Sequence, residues 1–206
     1  MQTLRTSASD IDALRYYMAH EDADLAELLA SLRREKPPTE AMLAGTALHT
    51  ALENCAHGDH PELRAEGYTF ELVCEGELDL PEIRELKATR DYEIDGCLVT
   101  LVGKVDGLHG RRIDDHKFTS RYDAERFMGS MQWRIYLEVF GADEFRWNVF
   151  EGRQSTYDPQ RYIIHSLHRL HMHRYPGMGD DVERAVAQFL NFARVHLPER
   201  ILSEAA

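Results

Sequence analysis

The sequence predicts an α/β fold, a central mixed β-sheet flanked by α-helices, and three observations predict it. Two runs of alternating apolar character, Cys97 to Asp106 and Arg112 to Phe118, flank Gly107, Leu108, His109 and Gly110 and read as an antiparallel hairpin. Stretches with apolar residues at helical spacing lie on either side, Thr39 to Ala56 before the hairpin and Tyr122 to Phe140 after it. The 206 residues, 43% of them hydrophobic, suffice for a substantial core without disulfides or a structural metal.

Taken in order, Ser9 or Asp10 can cap a first helix running through Ala19, and Asp22 to Glu35 reads as a second. These form an N-terminal helical region at about 9–36, which Pro37 and Pro38 end. Thr39 is placed to cap the next helix, on which Gly45, His49 and Glu53 fall four apart along one stripe. A mid-helix glycine costs about 1 kcal/mol against alanine, so a close approach of the sheet is expected at Gly45. Tyr68 to Glu75 and Ile83 to Glu93 read as strands, the second entering the hairpin through Asp95 and Gly96. Tyr122 to Phe140 reads as one amphipathic helix whose packing residues include Trp133, Ile135, Leu137 and Val139. Glu144 to Phe150 and Arg161 to Leu170 read as two further strands, and Asp181 to His196 as a closing helix after the turn Pro176 to Gly179. No repeat or long linker interrupts the chain, so 1–206 is expected to form one domain with its core motifs at about 40–140.

The hairpin carries the chemistry. If Gly110 and Arg111 form its two-residue tip, Asp106 lies opposite Asp115 with their Cβ atoms about 5 Å apart. Facing like charges destabilise a purely structural sheet, and a hard divalent cation between them removes the conflict. Asp115 and Lys117 share one face of their strand, while His116 and Phe118 point to the other. The ammonium of Lys117 is then placed to orient or deprotonate an attacking water and to neutralise charge on a scissile phosphate, as divalent-metal phosphodiester hydrolysis requires. His49 can reach the same cation as an imidazole ligand, with Glu53 behind it or as a further ligand. On the later helix, Gln132 and Tyr136 are four apart and both can donate hydrogen bonds. Each signal alone has an ordinary reading: an exposed Asp-x-Lys ion pair, a helix histidine bonded to Glu53, a Gln-x-x-x-Tyr spacing of no consequence.

In order, G-x-x-x-H at Gly45 and His49, the aspartate of GKVDG at Asp106, D-x-K at Asp115 and Lys117, and Q-x-x-x-Y at Gln132 and Tyr136 resemble the RecB-like branch of the PD-(D/E)XK nuclease superfamily. The resemblance spans roughly residues 40–140, and within the branch phage recombination exonucleases and helicase-associated nuclease domains look nearest. It implies a restriction-endonuclease-like core, with His49, Asp106, Asp115 and the backbone carbonyl of His116 as ligands of Mg²⁺ or Mn²⁺. It implies Lys117 as the catalytic lysine, working with Asp106, Asp115 and Glu53, and Gln132 and Tyr136 as residues that support the site or contact DNA. The position of His116 is usually apolar in the family; histidine there leaves the metal face intact. DNA is the implied partner, a single-strand-annealing or recombination protein a further one, and some relatives form toroidal trimers, so a homo-oligomer is compatible. Cys55, Cys74 and Cys97 are dispersed and lack C-x-x-C spacing, so no iron–sulfur cluster is expected. No phosphate-binding G-x-x-x-x-G-K-[ST] loop occurs in these 206 residues, so no helicase motor is expected.

Charge opposes this reading at first sight, because a formal −12 disfavours attraction to a polyanion. The acid is unevenly spread. Residues 84–134 carry ten Lys or Arg against nine Asp or Glu, whereas residues 59–82 hold eight acids and one Arg. Within the near-neutral stretch, Arg111, Arg112, Arg121, Arg126 and Arg134 are candidates to line a strand channel or hold a terminal phosphate, Arg121 and Arg126 foremost. Dispersed cysteines, no secretory signal and no apolar run near 18 residues lead to the expectation of a bacterial or phage-infected cytoplasm and no membrane partner.

The expected activity is a deoxyribonuclease, an exonuclease of recombination or repair in preference to an endonuclease. Two other classes compete: a catalytically inactive nucleic-acid-binding or regulatory domain that kept the fold, and a histidine-rich metal binder built on His165, His168, His171 and His173.

Overall fold

A computed structural model describes residues 1–56, 58, 60–74, 78–81 and 83–203. Among these residues the elements run β1 (Gln2–Ser7), α1 (Ala8–Ala19), α2 (Leu25–Leu32), α3 (Glu40–Asn54), β2 (Glu62–Ala65), β3 (Tyr68–Leu72), β4 (Ile83–Ile94), β5 (Cys97–His109), β6 (Arg112–Thr119), α4 (Ala124–Gly129), α5 (Gln132–Phe140), β7 (Glu144–Gln154), β8 (Arg161–His173), α6 (Met178–His196) and β9 (Ile201–Ser203). The strands form one mixed sheet of order β2-β3-β8-β7-β6-β5-β1-β9, with β4 on the other edge of β5. This is the expected α/β architecture with a restriction-endonuclease-like core.

Two apolar clusters cover the two faces. One packs α1, α2, α5 and α6 on Val99, Leu101, Phe145 and Trp147; the other packs α3 on Phe70, Phe150 and Ile164. The parallel pairs β1–β5 and β6–β7 lie inside the sheet, where burial on both faces favours them.

The hairpin tip is as expected. His109 pairs with Arg112 and Gly107 with Asp114, leaving Gly110 and Arg111 as the two-residue turn, with Gly110 at φ +61°. The ladder stops at Gly107 and Asp114, although continuing its register would set Asp106 across from Asp115. On the same edge β1 pairs with β5 only from Cys97 to Val102. The sheet therefore forks between β5 and β6, and α5 packs into the mouth. A Cβ on Gly103 would stand 2.9 Å from the Phe140 ring and 3.2 Å from Val139, so the absence of a side chain is what admits the helix.

Several boundaries differ from the sequence reading. The first helix starts earlier, capped by Ser7 rather than Ser9 or Asp10, because the chain leaves β1 directly into the helix and the Ser7 hydroxyl accepts from Asp10 N–H. The second is shorter, with Asp24 as its cap. Strands β1, β2 and β9, absent from the sequence reading, are short; β1 and β9 pair with neighbours distant in sequence, and β2 forms a four-residue hairpin arm on β3. The strand expected to reach Glu75 ends at Leu72, and Glu75 itself lies outside the described residues. The helix expected over Tyr122 to Phe140 is two helices: Asp123 caps α4, and Ser130 adopts extended backbone after Gly129. At Gly45 no close approach occurs, since a Cβ there would meet nothing within 4 Å. No described helix is long and apolar enough to cross a membrane.

Candidate active site

The fork gathers the motif residues. Asp106 projects from β5, Asp115 and Lys117 from β6, His49 enters from α3 on one face and Gln132 from α5 on the other. Local sequence builds each support. Thr39 caps α3 by accepting from Met42 N–H, and Arg84 closes its far end by donating to the carbonyls of Leu52 at 3.0 Å and Cys55 at 2.7 Å. Asp12 of α1 caps α5 from 120 residues away: its carboxylate accepts from Met131 N–H at 2.7 Å, Gln132 N–H at 3.2 Å and the Ser130 hydroxyl.

All four carboxylate oxygens of the two aspartates have protein partners. Asp106 lies 3.2 Å from His49 Nδ1 and accepts from His116 N–H at 2.6 Å. Asp115 forms a close ion pair with Lys117 and accepts from the Gln132 amide at 2.9 Å. The same amide donates to the Tyr136 hydroxyl at 3.1 Å, so Gln132 and Tyr136 act on Asp115 from behind. The ammonium of Lys117 also sits 5.2 Å from the centre of the Trp147 ring.

Each aspartate has its own basic partner: Asp115, 2% exposed, is paired with Lys117, and Asp106, 14% exposed, with His49. Burial raises the proton affinity of Asp106, but the hydrogen bond and charge of His49 and the charge of Lys117 outweigh it and hold this carboxyl well below its usual range. For Asp115, burial and the negative charge of Asp106 prevail over Lys117 and push its pKa up to about 6. Burial lowers and the aspartates raise the proton affinities of Lys117 and His49, with a net rise for both. Burial drives Tyr136 well above the phenol range, keeping it a neutral donor or acceptor. The buried His116 ring, on the opposite side of β6, is pushed down to about 4 and its Nδ1 has no partner. It lies edge-on to Phe150, which is the apolar packing role of this position carried by an imidazole.

Other candidates fall into place differently. Glu53 is exposed and lines the small cleft that holds His49, Glu85 and Asp106. Arg126 lines a cavity onto which Lys117 opens, whereas Arg121 is exposed beyond β6 and lines neither space. Arg111 is tied to Asp143, Arg112 to Asp114 and Asp79, and Arg134 to Tyr175 and the Ser130 carbonyl, so these three do not form a strand channel. In β8, His168 is bound to Glu151 at 2.7 Å and stacked on Tyr122, which removes it from a histidine cluster. Among the described residues no three metal-ligating side chains converge on a point, here or in the fork.

Asp12, Arg84 and Trp147 escaped sequence reasoning because no local pattern marks a cap or a ring supplied from another element.

No protein-family model matches the chain, and no curated protein matches it. Solved structures do. The protein SSO0001 superposes with a TM-score of 0.54 at 14% identity, covering 91% of this chain and 76% of that one. A candidate exonuclease from Eubacterium rectale gives a TM-score of 0.54 at 13% identity, covering 94% and 81%. At this identity the likeness is one of fold, and it agrees with the nuclease-like core to which the motifs pointed.

Proposed function

We propose that the chain is a divalent-metal-dependent deoxyribonuclease that hydrolyses DNA phosphodiester bonds, acting as an exonuclease in recombination or repair. One observation carries the reading: Asp106, held by His49, and the buried Asp115, held by Lys117, act on each other electrostatically at the mouth of a forked sheet, and a bound cation would take the place of those partners. The name of the Eubacterium rectale protein, which shares the fold, supports an exonuclease.

In the chemistry of its donors, though not as a preformed cage, the set suits a hard divalent ion. Asp106 and Asp115 offer oxygens, His49 an imidazole nitrogen, and His116 a backbone carbonyl, a mixture suited to Mg²⁺ or Mn²⁺. When bound, the metal supplies Lewis acidity and a water of lowered pKa. The chain's own residues do the remainder. Lys117, beside Asp115, would hold the attacking water or the negative charge growing on the phosphate. Gln132 fixes one Asp115 oxygen, and Glu53, at the rim, is available to take a proton from the water side.

Linear duplex DNA incubated with Mn²⁺ or Mg²⁺ tests this. Cleavage is expected from the wild type, reduced about 10²- to 10³-fold in Lys117→Ala and Asp115→Asn, by analogy with loss of one transition-state stabiliser. Resistance of covalently closed circular DNA marks an exonuclease. One observation favours a second reading, a DNA-binding domain without turnover: protein groups already occupy every carboxylate oxygen of Asp106 and Asp115. Absence of cleavage of linear, circular and single-stranded DNA in either metal would establish that reading instead.

A further inference from the structure

Beyond the carboxylates, Lys117 opens onto a cavity of about 510 Å³ between α1 and α4. Its lining includes the buried Trp147 and Phe127 and, at the surface, Tyr16, 63% exposed. The Tyr16 ring is stacked on His20 at 4.0 Å between centroids and 24° between planes. A hydrogen bond from the His20 ring to the Tyr16 carbonyl at 2.8 Å locks this pair in place. Exposed aromatic rings usually tuck against their own surface; this pair instead presents a rigid flat face to an open space.

The cavity is also basic in an acidic protein. Arg15 and Arg126 line it, and neither guanidinium has a hydrogen bond or ion pair among the described residues, unlike Arg111, Arg112 and Arg134. The acid in the lining, Asp12, is consumed in capping α5. Lys117 adds a third cation at the inner end. An exposed aromatic ring, unpaired guanidiniums and a volume within the usual small-molecule range match the base and phosphate of a nucleotide.

We propose that this cavity holds the nucleotide next to the scissile phosphate with its base unstacked from the strand and laid on Tyr16, and its phosphates held by Arg15 and Arg126. The inference rests on the nuclease reading for its orientation toward Lys117. A paired base offers its neighbours, not an exposed face, to a protein ring, so the occupant is a strand end that has frayed or is single-stranded.

The test uses single-stranded oligonucleotides carrying 2-aminopurine at one end or the other, bound in EDTA so that nothing is cut. Stacking on Tyr16 is expected to quench the fluorophore at one end in the wild type and in Tyr16→Phe. Tyr16→Ala is expected to lose the quench and raise Kd about 5- to 150-fold, the ~1–3 kcal/mol of one base–aromatic stack. Arg126→Gln is expected to weaken binding and flatten its salt dependence. The exposed position of Tyr16 makes misfolding of its variants unexpected, and retained far-ultraviolet circular dichroism checks it. Equal quenching in Tyr16→Ala and wild type, or quenching at neither end, overturns the proposal. Failure of the nuclease reading looks different: Tyr16-dependent quenching would persist while no metal supported cleavage.

Discussion

Asp114 and Asp115 are neighbours in β6, both sealed from solvent, and they live in opposite electrostatic situations. Asp114 points to the face of α3, where Arg112 reaches it at 3.0 Å and Arg146 at 2.7 Å. Asp79 joins the same two guanidiniums, so two carboxylates meet two permanent cations. Asp115, one residue on, is paired with Lys117 beside Asp106, whose own partner is His49. The first cluster is closed: its charges cancel and its planar forks match. The second relies on an ammonium and on an imidazole that carries charge only when protonated. Burial alone therefore does not mark a candidate site carboxylate; the lack of permanent paired guanidiniums around it does.

The contrast can be broken from either side. The largest effect is expected in the closed cluster: Arg146→Ala leaves Asp114 buried with half its partners and should cost about 3–5 kcal/mol of stability, read by urea denaturation. A stability loss below about 1 kcal/mol would show that the cluster is not closed by Arg146. In the open cluster the loss should be of cleavage instead: Lys117→Ala is expected to keep the fold while activity drops as stated above, because Asp115 can take up a proton once its cation is gone.

Two neighbouring side chains of β6 give opposed pH dependences. His116, held at about 4 when folded against 6.5 unfolded, stays neutral while the unfolded chain takes up a proton. Its contribution to stability is thus lost as pH falls from about 6.5 to 4, up to about 3 kcal/mol. Asp115, raised from 3.8 to about 6, keeps its proton longer when folded, so its contribution is present in acid and lost as pH rises across that window. The two slopes offset each other in the wild type. In metal-free buffer, His116→Leu should therefore lose stability with rising pH between about 4 and 6, and Asp115→Asn should gain it. Denaturation midpoints with the same slope in both variants would refute this account.

The smallest effect sharpens the comparison from a distance. Asp12→Ala removes the acceptor at the start of α5 and should cost about 1 kcal/mol, the usual worth of a cap. Its cleavage should fall further than that loss explains, because α5 carries Gln132 onto Asp115. A drop in melting temperature with unchanged activity would separate the cap from the site.

Local rules made part of this molecule legible. The hairpin register followed from Gly110 and a two-residue turn, the helix from Thr39 followed from its cap and apolar period, and the shared face of Asp115 and Lys117 from the pleat of a strand. Those features depend on residues a few positions apart, for which sequence spacing is physical spacing. Tertiary structure alone decided the fork in the sheet, the break at Ser130, the capping of α5 by Asp12 and the division of the arginines into paired and free. Each of these depends on at least one contact between elements tens of residues or more apart. Whether a charge is cancelled depends on which distant element packs against it, and no local period encodes that.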